Sequence, residues 1–132
     1  MDEVLLYVFA PDEHEAYLSQ PLMDYDYCVY YQDFDIYLNI YKRPYLKEFL
    51  EYLRLNTEPI LYTKGVKSYV DLVLKLVDPE NTFKHVITQE EGCTRVVDTK
   101  EHIDDYFKDI NQLNRDLSRT VYIDTKAIAF WP

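Results

Sequence analysis

Short apolar runs alternating with helical stripes predict an α/β domain, with a parallel sheet, helices on both of its faces and a β-hairpin after the first strand. Three features of the 132-residue chain lead there. Val4 to Ala10 is an unbroken apolar run of the kind buried on two sides. Two later stretches carry apolar residues at helical spacing, one face each. Between the first run and those stripes, two aromatic, β-branched segments flank a turn at Asp33.

In chain order, Pro11 and the charges after it end the first strand, and residues 11 to 24 read as a loop or short helix. "YDYCVYYQ" and "FDIYLNIYKR" form the hairpin. Pro44 then opens a helix at its first turn, where its missing N–H does no harm. Leu46, Phe49, Leu50 and Leu53 give that helix its inner stripe. "PILYT", 59 to 63, is a second buried strand closed by Thr63-Lys64-Gly65. Val66, Val70, Val73, Leu74 and Val77 line the next helix, which Asp78-Pro79 stops. "FKHVITQ" is a third strand. Residues 90 to 112 are polar and irregular, with a short strand at Arg95 to Val97, and "TVYID", 120 to 124, is the last buried strand. No repeat, linker or low-complexity tract interrupts the chain, so 1–132 reads as one domain.

The formal charge of -10 disfavours nucleic acid as a partner, because phosphate contacts need a basic patch, and it favours basic ones. Fourteen tyrosines against two glycines suit half-buried strands or contacts with a partner protein. No apolar run reaches the length of a membrane span, and the acidic start has neither a secretory nor an Arg-rich transit pattern. Cys28 and Cys93 are too far apart for a metal knuckle and read as ordinary buried or half-buried thiols. His14, His85 and His102 have no zinc spacing, and "DEHEAY", 12 to 17, reads as a solvated loop. No cofactor is expected.

"YKRPYLKEFLEYL", "PILYTKGVKSYVDLVLKLVDP" and "FKDINQLNRDLSRTVYIDTKAIAF" occur in order at sensible spacing. As a set they resemble the NIF-type phosphatases of the haloacid-dehalogenase class. That group holds the small phosphatases of the RNA polymerase II carboxy-terminal domain and the presequence-receptor subunit of the mitochondrial inner-membrane translocase. The match covers most of residues 42 to 130, and its Leu-Asn-Arg-Asp and Asp-Thr-Lys details lean toward the translocase branch. It implies a Rossmann-like parallel sheet of the haloacid-dehalogenase type, with the hairpin inserted after the first strand. It also implies a further strand and helix beyond Trp131-Pro132, so that the chain reads as truncated at its carboxy terminus.

Family phosphatases carry Asp-x-Asp-x-Thr (or Val) at the tip of the first strand. One Asp attacks phosphorus, the second protonates the leaving oxygen, and magnesium offsets the developing charge. By that resemblance Thr63 matches the phosphate-binding hydroxyl, Lys108 the third-motif lysine and Asp124 the fourth-motif carboxylate. Asp12 matches the second aspartate, and Ala10 stands where the nucleophile belongs. A register with Val8 and Ala10 at the two positions loses both carboxylates. Asp12 and Asp124 are the only weak metal candidates. Thr125 replaces a metal-binding Asp or Asn, and Tyr45 replaces the glycine that follows Arg-Pro. A methyl group cannot attack phosphorus, so the expectation is a pseudophosphatase. Each residue also has a structural role to weigh: Thr63 caps the following helix, Lys108 pairs with its neighbour Asp109, Asp124 holds the loop after its strand, and Arg43 braces carboxylates.

Three functions follow as expectations. The first is a non-catalytic interaction subunit of a mitochondrial inner-membrane assembly, a location that rests on the resemblance alone. The second is a receptor for basic targeting peptides, using the acidic, tyrosine-rich region around Asp24, Asp26, Asp33 and Asp35. The third is an active magnesium-dependent protein phosphatase.

Overall fold

The computed structural model describes residues 1, 3–10, 24–98 and 103–126. Strand β1 (Leu6–Phe9), strand β2 (Tyr27–Tyr31) and strand β3 (Ile36–Lys42) form an antiparallel sheet with β3 in the middle. Tyr7 lies opposite Tyr41, and Tyr30 opposite Tyr37. A short turn of 3-10 helix, Gln32–Phe34, joins β2 to β3, closed by Asp35 in the left-handed region. Leu6, Leu38 and Ile40 point inward and are buried, while Tyr7, Tyr30 and Tyr37 point outward and are exposed.

This corrects the expectation for the first strand. Its run looks uniformly apolar, yet it is covered on one face only and pairs antiparallel with β3. Tyrosine hides the alternation, because its ring scores as apolar while its hydroxyl tolerates water. The hairpin therefore joins the first strand in one antiparallel sheet.

Helix α1 (Leu46–Asn56) buries Leu46 and Leu50. Pro44 sits in the turn before it, not in its first turn, and Tyr45 takes the left-handed conformation at the helix start. Strand β4 (Ile60–Tyr62) and strand β5 (His85–Ile87) pair in parallel, with helix α2 (Lys67–Val77) as the crossover between them. Val70 and Val73 on α2 have no exposed surface and pack into one core with Leu6, Ile40, Leu50 and Leu61. Asp78 ends the helix. Its N–H bonds the Leu74 carbonyl, and its buried carboxylate accepts from the N–H groups of Thr82 and Phe83, at 2.9 and 3.2 Å.

A short helix α3 (Gln89–Gly92), held by a Thr88–Glu91 capping box, leads into an antiparallel ribbon of β6 (Cys93–Asp98) and β7 (Ile103–Lys108). The sequence pointed to irregular chain here apart from a short strand at Arg95 to Val97, which lies within β6. The ribbon leaves Thr94 to Val97 exposed, so no buried face imposes an apolar alternation, although Phe107 and Lys108 are covered.

The expected last strand is also corrected. Residues 120 to 124 belong to no sheet among the described residues, and Val121 and Ile123 are 84% and 58% exposed. They face a groove of about 900 Å³ whose other walls include Leu53, Ile60, Leu61 and Leu113. Among the described residues, the single parallel sheet with helices on both faces is thus replaced by three small sheets, of which one is parallel. No helix among the described residues is long and apolar enough to cross a membrane.

Candidate functional site

Three of the five residues singled out from sequence meet in one cleft of about 290 Å³. Thr63 follows β4, Lys108 ends β7, and Asp124 closes the segment 120 to 124. Lys108 Nζ donates to Asp124 Oδ2 at 2.7 Å, with the two side chains 6% and 15% exposed. The other Asp124 oxygen accepts the Lys126 backbone N–H at 2.9 Å. Burial pushes the Asp124 carboxyl up, but Lys108 and the Lys126 amide together outweigh it and hold the group below the usual aspartate value. The solvated Lys108–Asp109 pair considered from sequence is replaced by this cross-cleft bond. Asp109 instead accepts from the Asn111 amide at the start of a 3-10 turn.

Thr63 is almost fully buried. Its hydroxyl accepts the Gly65 N–H at 3.1 Å, and its own N–H donates to the Ile87 carbonyl. It shapes the turn and does not cap α2, whose first N–H, from Lys67, goes to the Glu90 carboxylate. The Arg43 guanidinium donates to the Glu3 backbone carbonyl, and no salt bridge to a carboxylate is formed by it among the described residues.

Sequence reasoning missed several neighbours. Lys64 donates to Asp105 Oδ2 at 2.9 Å across the same cleft, and that contact leads in holding the Asp105 carboxyl down. Thr125 donates to Glu3 Oε2 at 3.0 Å. Cys93 sits beneath, its thiol 3.6 Å from the Thr63 carbonyl. Burial pushes this thiol up despite nearby Lys108 and Lys64, which lowers its share of reactive thiolate. These groups come from five separate stretches of chain, and no spacing in the sequence announces their meeting.

Ala10 is the misplaced residue. It is exposed just past the end of β1, whereas the cleft is lined from this part of the chain by Met1 and Glu3. Ala10 therefore does not stand in the place of a nucleophile in this cleft. Asp12 lies outside the described residues. Three lysines (64, 108 and 126) balance three carboxylates (Glu3, Asp105 and Asp124) around the cleft. The four oxygens of Asp105 and Asp124 each accept a hydrogen bond from a lysine or a backbone amide, and among the described residues no group of three His, Cys, Asp or Glu side chains is placed to hold a metal ion.

The profile of the NLI interacting factor-like phosphatases matches residues 1–132. The chain belongs to that family. Within it, the chain is 38% identical over 87 residues to mitochondrial import inner membrane translocase subunit tim50 of Aspergillus fumigatus, covering 66% of this chain and 16% of that protein. The tim50 subunit of Emericella nidulans gives 38% over 85 residues, covering 64% of this chain and 15% of that protein. CTD small phosphatase-like protein 2 of Dictyostelium discoideum is 26% identical over 130 residues, covering 98% of this chain and 20% of that protein. The chain thus spans a fifth or less of the length of these relatives. This NLI interacting factor-like domain is close to the translocase subunits, as its Asp-Thr-Lys ending suggested.

Proposed function

We propose that the domain is a non-catalytic, protein-binding subunit of a mitochondrial inner-membrane assembly, built on a phosphatase-like scaffold. The observation that carries this reading is the closure of the cleft carboxylates. Both oxygens of Asp124 are held, by Lys108 and by the Lys126 amide, and both of Asp105, by Lys64 and the Tyr106 amide. A carboxylate whose charge is already offset by lysine is a weaker nucleophile toward phosphorus than a free one. Similarity to the two fungal translocase subunits supports this setting. In its finer form the domain receives presequences, since a chain of charge -10 suits basic amphipathic segments and speeds their encounter.

A second reading, a magnesium-dependent phosphatase, has one observation in its favour. Thr63, Lys108 and Asp124 do converge, and the residues facing them are Met1 and Glu3, which flank Asp2 in the sequence. Hydrolysis of an aryl phosphate with magnesium separates the two readings. No turnover in the chain, together with copurification of inner-membrane subunits, is the expected result. Turnover that Asp2→Asn and Asp124→Asn both abolish overturns the non-catalytic assignment.

A further inference from the structure

The groove of about 900 Å³ between β4 and residues 120 to 124 takes no part in the cleft chemistry. Phe49 and Leu53 of α1, Ile60 and Leu61 of β4, and Val121 and Ile123 form its apolar walls. Thr63, just past β4, and Asp124, at the end of the other wall, both reach the cleft. The two walls therefore run in the same direction, which is also that of β5.

The backbone of the walls is open. Thr63 donates its N–H to the Ile87 carbonyl on β5 at 2.9 Å. Backbone groups alternate sides along a strand, so Ile60 and Tyr62 turn theirs away from β5. The groove lies on that side, since it is lined by β4 and by no residue of β5. Among the described residues, β5 is the one strand that pairs with β4. On the opposite wall, Val121 and Ile123 enter no backbone–backbone bond among the described residues, although 120 to 124 has strand composition.

This openness selects the occupant. An acyl chain or a packed helix would fill the space without offering backbone partners, and the groups on the walls would stay unmet. A second copy of the chain offers no unpaired strand among its described residues, because each of its strands already has a neighbour. An extended segment satisfies both walls, as an unpaired strand edge accepts an added strand. The apolar lining calls for β-branched, uncharged side chains on that segment. Arg119 lines the groove at the end away from the cleft, where an acidic residue at the start of the segment would meet it.

We infer that the groove takes an extended, apolar segment of a partner protein as an added strand, paired to β4 and to 120 to 124 at once. The inference rests on the protein-binding reading above and adds the place and the chemistry of the partner.

The test uses the full chain and a peptide of about seven residues, Val and Ile with one Glu at its amino end. Binding is followed by titration and by backbone hydrogen exchange. The peptide should bind and should slow exchange at the Ile60 and Tyr62 amides and at alternate amides in 120 to 124. A proline at its centre removes a donor from the pairing and should weaken binding at least about tenfold. Val121→Asp, which sets a carboxylate in the apolar space, should also weaken it about tenfold. Val121 is exposed, and unchanged circular dichroism shows that the variant keeps its fold. Equal binding of the proline peptide, or of a helix-forming Leu–Ala peptide, overturns strand addition while leaving a protein-binding role intact. Slow exchange at Ile60 and Tyr62 before any peptide is added overturns the partner as occupant. The chain then fills the position itself, or a second copy does where sedimentation shows a dimer. Failure of the peptide to bind overturns the added strand alone, whereas turnover of a phosphate ester by the same chain overturns the protein-binding reading beneath it.

Discussion

Lys108 and Asp124 hold one another across the cleft at 2.7 Å with little solvent at either side chain. Removing one partner strands the other charge in a poorly hydrated place. Lys108→Ala and Asp124→Ala should each cost about 3 kcal/mol, read from urea midpoints at neutral pH. The pH dependence has a defined sign. Asp124 titrates below its ordinary value in the folded chain. Its contribution is therefore present above the unfolded value near about 4 and disappears as pH falls through the folded one. Asp124→Asn should be less stable than the parent at pH 7, with the gap narrowing below about pH 4. A gap independent of pH would show that the bond is not ionic.

Tyr45 starts α1 at φ 64°, a conformation that side chains with a Cβ resist, and its ring is 78% exposed. Nothing about its packing compensates. Tyr45→Gly should raise stability by about 0.5–1 kcal/mol, the left-handed penalty less the greater freedom of glycine when unfolded. A lower melting temperature in that variant would contradict the observed turn.

Gly92 shows the opposite constraint. A Cβ there would overlap Ile87 Cγ2 and crowd the Tyr62 ring, whose hydroxyl bonds the Gly92 carbonyl and accepts the Asp109 N–H. Gly92→Ala should destabilise by about 1–3 kcal/mol through overpacking, as measured by denaturant unfolding.

Asp78 organises the turn after α2 with a buried carboxylate that serves two backbone donors. Asp78→Ala leaves the N–H groups of Thr82 and Phe83 without that acceptor and should cost about 2 kcal/mol. Amide exchange at Thr82 should quicken more than that at Val73, deep in the helix.

Both long helices were legible because their apolar stripes repeat at helical spacing and one face of each packs into the core. β4 and β5 were legible as short apolar runs between turn residues. The first strand was misread, since the Tyr7 position looks buried by composition and is exposed, while Phe9 is only half-buried. The segment 120 to 124 has strand composition but no described neighbour to pair with, and composition does not reveal neighbours. The β6–β7 ribbon was legible only as the short strand at Arg95 to Val97 within β6, for the converse reason, as backbone pairing holds the rest with little burial. At the site, Thr63, Lys108 and Asp124 come together because Thr63 follows β4, Lys108 ends β7 and Asp124 closes the segment 120 to 124, positions that motif order conveys. The place of Ala10 depended on which way the first strand runs relative to the others, and only strand pairing decides that.

Cys28 lies on the outer face of β2, opposite Asn39, and is exposed, whereas Cys93 is half-buried with a thiol that burial pushes up. Maleimide should consequently label this molecule at a single point without mutagenesis. A fluorophore there stands beside the tyrosine rings, so its emission would report on whatever comes to cover them.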